Sequence, residues 1–332
     1  GDKIVKLNTN ENPYPPAPGV KKVLEEMEAD RLRKYPDPTA SILVKELASY
    51  YGLNEDQVFV GVGSDDVLAM SFLTFFNSDK PVLFPDVTYS FYKVWADLFK
   101  VPFETPVLKE DFTIDVKDYE KENGGVIFPN PNAPTGVYMP LDQVEEILKA
   151  NQDVVVIVDE AYVDFAGPSA LELLDKYENL LVVQTFSKSR SMAGMRIGFA
   201  MGHPDLIRAL NDVKYSYNSY TMNLPSLLAG VEAVKDKEYF EKTIEKIVAT
   251  REHAKKRLTE LGFTFPNSQS NFIFASHKSV PAEKIFEALK KEQIYVRYFK
   301  TPGLDNSLRI SIGTDEEMDT LFRFLEAYLP NA

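Results

Sequence analysis

The chain has 332 residues, 44% of them hydrophobic and 26% charged, so it can bury a sizeable core and is neither disordered nor collagen-like. Lys and Arg number 37 against 50 Asp and Glu, and a net charge of −13 disfavours nucleic acid and anionic membranes as partners. With no cysteine, and three histidines whose spacing makes no metal cluster, disulfides and thiol chemistry are excluded; no metal is expected, and a reducing cytoplasm is the expected setting.

No apolar run reaches the roughly 20 residues of a membrane helix, and no signal-peptide pattern is visible. The chain opens on Gly1 rather than Met, which leaves room for a preceding segment. In chain order, NENPYPPAP is expected to be extended, because proline removes donors and restricts its neighbours. A short helix near Val20–Arg31 and a YPDP turn follow. Residues 41–52 put Ile42, Leu43, Leu47 and Tyr50 on one face of a helix that Gly52 ends. Strands and helices then alternate through VFVGVG, DVLAMSFLTFF, PVLFP, YSFYKVWADLF, Val101–Thr105, GVIFPNP, LDQVEEILKAN (with a capped, acidic start), VVVIVDEAY, LLVVQTFS and RIGFAMG. Such apolar runs between amphipathic helices predict an α/β domain, a mostly parallel sheet flanked by helices. Past about residue 225 come a long helix over Lys235–Leu261, FTFP, NFIFAS, a helix at Ala282–Glu292, IYVRYF, LRISIG and a last helix at Asp315–Tyr328. They predict a smaller α+β domain. The expected division is 1–35 as an arm with part of the small domain, 36–235 as the large domain, and 236–332 as a connecting helix and the small domain.

Ligands of open α/β sheets bind outside the carboxyl ends of the strands. Four polar motifs fall there: Asp159 and Tyr162 after VVVIV; Thr185, Ser187 and Lys188 after LLVVQ; Ser64 and Asp65 in GVGSDD; Asn130 and Asn132 in NPNAPTG. Taken singly they are ordinary. A lone lysine is usually solvated, and Asp after a strand or a Gly turn commonly caps a helix. GVGSDD lacks the Gly-Lys-Ser/Thr of a P-loop. Their joint order at strand ends is what points to one site.

Over nearly its whole length the chain resembles the pyridoxal-phosphate aminotransferases of fold type I. TFSKSRSMAGMRIG is similar to the family's cofactor-bearing lysine segment, and VDEAY to the segment whose Asp faces the pyridine nitrogen. The resemblance implies a large pyridoxal-phosphate-binding domain with Lys188, Asp159 and Tyr162 as catalytic residues. It implies that Ser64, Asp65, Thr185, Ser187 and Arg196 hold the cofactor phosphate, and that Tyr89 stacks on its ring. It also implies a homodimer with shared sites, in which Tyr35 reaches the neighbouring subunit's phosphate. One position departs from the family: Ala133 stands where its Asn-Pro-Thr-Gly loop has Asn, and Asn132 is the expected substitute. Ser189 and Arg190 also stand where a small and an aromatic residue are expected. A cis bond is expected at Ala133–Pro134.

LNTNENPYPP, RKYPDP, GVGSDDVL and LRISIG are most similar to the subgroup of that family that transaminates histidinol phosphate. Arg309 is then expected to bind the anion of either substrate, and Arg297 to add the charge that a phosphate needs beyond a carboxylate. The alternatives are an aromatic or broad-range aminotransferase and a threonine-phosphate-type decarboxylase. A ligand-sensing regulator lacks a basic DNA-binding module here, and a non-catalytic carrier is at odds with the presence of both Lys188 and Asp159.

Overall fold

Strands that are apolar on both faces need cover on both, and this chain supplies it with helices. The computed structural model describes residues 3–332. Its strands are β1 (Val5–Leu7), β2 (Val58–Gly61), β3 (Val82–Leu83), β4 (Phe103–Glu104), β5 (Gly125–Pro129), β6 (Val156–Asp159), β7 (Leu180–Thr185), β8 (Gly198–Gly202), β9 (Phe263–Thr264), β10 (Phe272–His277), β11 (Ile294–Tyr298) and β12 (Leu308–Ser311). One sheet has the order β2-β8-β7-β6-β5-β3-β4, and only β8 runs antiparallel. Every residue of β5, β6 and β7 is buried. Alternate residues serve opposite faces, as a period of two requires. Val126, Phe128, Val156, Val158, Leu180 and Val182 meet helices Ser41–Tyr51, Leu141–Ala150 and Leu224–Lys235. Ile127, Ile157, Leu181 and Val183 meet helices Ser64–Phe75, Phe91–Leu98 and Pro204–Tyr217. This is the expected α/β architecture.

The second sheet has the order β1-β11-β12-β10-β9, with β1 parallel to β11 and the rest antiparallel. Helices Lys237–Glu260, Ala282–Lys291 and Asp315–Tyr328 cover it through Ile247, Leu258, Ile285, Leu289, Leu321 and Phe322. The first strand of the chain thus closes the edge of a sheet built from its last third.

Some local expectations differ. The helix expected over Val20–Arg31 is an α-helix at Pro18–Glu26 and a separate 3-10 turn at Ala29–Arg33, because Met27 leaves the helix in an extended conformation. The helix Leu141–Ala150 starts on Pro140 without a side-chain cap, although Asp142 supplies the acidic first turn. Helices Pro204–Tyr217 and Leu224–Lys235 had no counterpart in the sequence reading. Both carry a cap before a proline: His203 Nδ1 accepts from the Asp205 N–H at 3.1 Å, and Asn223 Oδ1 from the Ser226 N–H at 2.8 Å. Asn130–Pro131 and Ala133–Pro134 are both cis.

Candidate active site

The carboxyl ends of β5, β6 and β7 and the N-terminus of helix Ser64–Phe75 converge on a cavity of about 430 Å³. Asp159 ends β6, Thr185 ends β7, and Ser187 and Lys188 follow it. Gly63 caps the helix at φ +97°, a conformation that side chains disfavour. A Cβ at Gly63 would come within 2.6 Å of Arg196 Nη2, and one at Gly198 within 2.3 Å of the Ser64 nitrogen. The two glycines let the guanidinium and strand β8 close on the helix start.

Arg196, itself at φ +56°, donates Nη1 to the Ala193 carbonyl at 2.8 Å and has no carboxylate partner among the described residues. Its remaining donors, the helix N-terminus and the hydroxyls of Ser64, Thr185 and Ser187 make an anion site. Thr185 Oγ1 also accepts the Ser187 N–H at 3.0 Å, which fixes the turn after β7.

Asp159 is buried. Its Oδ2 accepts from the hydroxyl of Tyr92 at 2.6 Å and its Oδ1 from the Ala161 N–H at 3.3 Å. Burial nevertheless pushes its carboxyl up to about 6, with Asp65 adding to the rise. A carboxylate so desolvated, with no cation paired to it among the described residues, is suited to a cationic atom of a ligand. Tyr89 lines the same cavity and donates to both oxygens of Asp65, at 2.9 and 3.1 Å.

Lys188 Nζ lies 5.8 Å from the ring centre of Tyr162, donates to the Thr9 carbonyl at 3.0 Å, and pairs with no carboxylate among the described residues. Its backbone is held from two sides. Asn12 Nδ2 donates to the carbonyls of Lys188 and Ser189 at 3.0 and 3.3 Å, and Ser189 Oγ donates to Asp164 at 2.6 Å. The Tyr162 hydroxyl accepts from Asn10 Nδ2 at 3.2 Å, which leaves its own proton to donate.

Arg309 reaches the cavity from β12. It donates Nη2 to the Asn8 carbonyl at 2.7 Å, while its buried Nε has no partner. Burial lowers the pKa of its guanidinium, and Arg297 lowers it further. Arg297 is the direct register partner of Arg309 across β11 and β12. The two flank Phe299, at 4.7 and 5.6 Å from its ring centre, but Arg297 is exposed and does not line the cavity.

Two further candidates lie elsewhere. Asn132 does not substitute for the missing asparagine: its amide donates to the Val87 carbonyl at 3.0 Å and to Thr135 Oγ1 at 3.1 Å, and Ala133 is the residue that faces the cavity. Tyr35 is 81% exposed and packs on Tyr220 with the ring centres 4.6 Å apart and the planes tilted by 31°, outside the cavity of its own chain. Unforeseen from the sequence were Tyr92, and Asn8, Thr9, Asn10 and Asn12. The density of amides in LNTNEN was their one visible signal. A larger cleft of about 900 Å³ includes Phe112, Phe274, Ser276 and Ser307, but its two serine hydroxyls satisfy each other at 2.6 Å and no basic side chain lines it.

These residues fit a phosphorylated pyridine aldehyde. An amine without a carboxylate partner faces the cavity, a desolvated carboxylate stands at the end of β6, and an anion cradle is kept open by two glycines.

Residues 2–325 match the family model described as aminotransferase class I and II. The chain is 52% identical to histidinol-phosphate aminotransferase of Brachyspira hyodysenteriae, over 98% of this chain and 93% of that protein. It is 54% identical to the protein of that name from Clostridium acetobutylicum, over 95% and 90%. The solved histidinol-phosphate aminotransferase of Sinorhizobium meliloti in complex with pyridoxal-5'-phosphate superposes with a TM-score of 0.89 at 25% identity, covering 97% of this chain and 90% of that one.

Proposed function

We propose that this chain, which belongs to the aminotransferase class I and II family, transfers the amino group of L-histidinol phosphate to 2-oxoglutarate, giving imidazole acetol phosphate and glutamate. The observation that carries the reading is the unpaired Lys188 amine in one cavity with the buried carboxylate of Asp159. Pyridoxal 5'-phosphate bound there supplies a conjugated ring that takes up the negative charge developing at the substrate Cα.

The protein's own residues do the rest. Asp159 keeps a proton on the ring nitrogen, and the Tyr162 hydroxyl donates to the ring oxygen. Arg196, Ser64, Thr185, Ser187 and the helix N-terminus would hold the phosphate, and Tyr89 would stack on the ring. Asp65 contributes its backbone N–H to the phosphate, and its carboxylate anchors Tyr89. Lys188 would hold the cofactor between turnovers and, once released from it, would serve as the base that moves the substrate's Cα proton. Arg309 takes the α-carboxylate of glutamate, and Arg297 joins it for the phosphate of histidinol phosphate.

The reading includes a homodimer in which Tyr35 completes the neighbouring site, a cytoplasmic setting, and division of the chain at 1–35, 36–235 and 236–332. No helix among the described residues is long and apolar enough to cross a membrane. A screen of half-reactions by absorbance, using histidinol phosphate, glutamate and phenylalanine, tests the substrate. The first two are expected to convert the cofactor fully and phenylalanine slowly. Equal rates with phenylalanine and histidinol phosphate would replace this reading with a broad-range aminotransferase.

A further inference from the structure

Helix Pro204–Tyr217 contains a lysine that no step above uses. Lys214 is 3% exposed, and its Nζ donates to the carbonyl of Pro38, the last residue of the YPDP turn. A buried ammonium is costly unless compensated. Burial lowers its pKa, and two carboxylates, Asp66 and Asp37, act against that.

Those two carboxylates belong to different parts of the molecule. Asp66 is the third residue of the helix whose start lines the cavity, and its Oδ2 accepts the Val62 N–H at 3.0 Å across the Gly63 turn. Asp37 lies in the turn that carries Tyr35. It accepts from the Thr39 N–H at 3.0 Å, the Thr39 hydroxyl at 2.8 Å and the Ser41 N–H at 3.0 Å. Burial works against its charge, but these bonds prevail and hold its carboxyl at about 2. No residue from 21 to 39 is buried, so the segment bearing Tyr35 has no core anchorage of its own. The aromatic partner of Tyr35, Tyr220, follows just after the helix that carries Lys214.

We propose that Lys214 is a positioning residue that fixes the Tyr35 turn to its own subunit's core, so that Tyr35 stands rigidly at the cofactor phosphate of the partner subunit. It rests on the reading of Tyr35 given above. The lysine therefore acts on the site of the other chain, and removing it harms the neighbour more than its own subunit.

Hybrid dimers of differently tagged full-length chains test this. One subunit carries Lys188→Ala, and cofactor trapped by borohydride then reports only the surviving site. With Lys214→Met on the Lys188→Ala subunit, the surviving site receives Tyr35 from the altered chain. Its half-saturation for pyridoxal 5'-phosphate is expected to rise roughly tenfold, as for loss of a bond to a charged group. With Lys214→Met on the other subunit, the change is expected to stay within about twofold, and Lys214→Arg should restore most of the loss. Equal effects in both arrangements, or a loss only in the second, overturn the proposal. If Lys214→Met chains do not assemble, Lys214→Gln is carried through the same two arrangements. Tyr35→Phe on the Lys188→Ala subunit serves as control. A loss there without one from Lys214 defeats this inference alone, whereas no loss there defeats the reading of Tyr35 itself.

Discussion

A lysine without a carboxylate partner and an aspartate without a cation define the chemistry at the scale of single residues. Borohydride reduction of the cofactor-loaded protein is expected to label Lys188, and Lys188→Ala to abolish both the label and transamination; peptide mapping checks it, and a label on another lysine refutes the assignment. Asp159 makes a pH-dependent prediction. Its carboxyl, ordinarily near 3.8, is raised to about 6 by burial. The fold without cofactor therefore favours the protonated acid, a contribution present below the ordinary value and lost as pH rises through about 6. The loss amounts to ~3 kcal/mol. A cationic ring nitrogen opposite Asp159 would offset that loss. Thermal stabilisation by saturating pyridoxal phosphate should thus grow between about pH 5 and pH 7, and the growth should vanish in Asp159→Asn. Glu160, whose carboxyl burial pushes up to about 7, is bonded to Ser169, Ala170 and Gln184 and does not line the cavity, so its titration is expected to be common to both states and to drop out of the difference. A stabilisation indifferent to pH in the unaltered protein would defeat the pairing.

Elements decide which of these residues can meet. Antiparallel pairing sets Arg297 directly beside Arg309, and on the reading proposed above its guanidinium would serve a dianion and be superfluous for a carboxylate. Arg309→Gln is expected to slow both half-reactions. Arg297→Gln should impair histidinol phosphate more than glutamate by about 1.5–3 kcal/mol, read as kcat/KM for each. Equal losses would remove Arg297 from the substrate. At the β2-to-helix turn, Gly63→Ala adds strain at φ +97° and a clash with Arg196. A cost of about 1–3 kcal/mol should appear as weaker cofactor binding in titrations of the cofactor-free protein. Gly52→Ala, at φ +67° with open space around it, should lower stability without touching that affinity. Similar cofactor affinities for the two variants would contradict the cradle. Most of this was legible in the sequence, because continuous apolar strands and their polar ends carry local signals: Asp159, Thr185 and Lys188 fall where β6 and β7 stop. What was not legible depended on distant partners. Asn10 and Asn12 meet Tyr162 and Lys188 only through the tertiary fold, and Asn132 was drawn away by Val87 and Thr135. Helices Pro204–Tyr217 and Leu224–Lys235 were overlooked although each announces itself with a cap before proline.

For the molecule as a whole, the exposed apolar side chains Leu24, Leu32, Tyr35, Ile42, Tyr217 and Tyr220 favour a second copy of the chain as partner. Sedimentation should find a dimer. Mixing Tyr35→Ala with Lys188→Ala subunits should regain up to about a quarter of the native activity, since one site of each hybrid is whole. A fully active monomer would refute this. The edge strand β1 has a different bearing, on how the protein is made. Val5 pairs with Ile294, and the residues just after β1 supply the carbonyl and amide contacts to Lys188 and Tyr162. Closing so long a loop is slow and gains nothing until its far end exists. During synthesis, Val5–Leu7 must therefore wait, unpaired, until Ile294–Tyr298 has emerged. A nascent chain that has already folded its seven-stranded sheet still has an unfinished pocket, and capture of the cofactor is expected to follow the docking of β1 on β11.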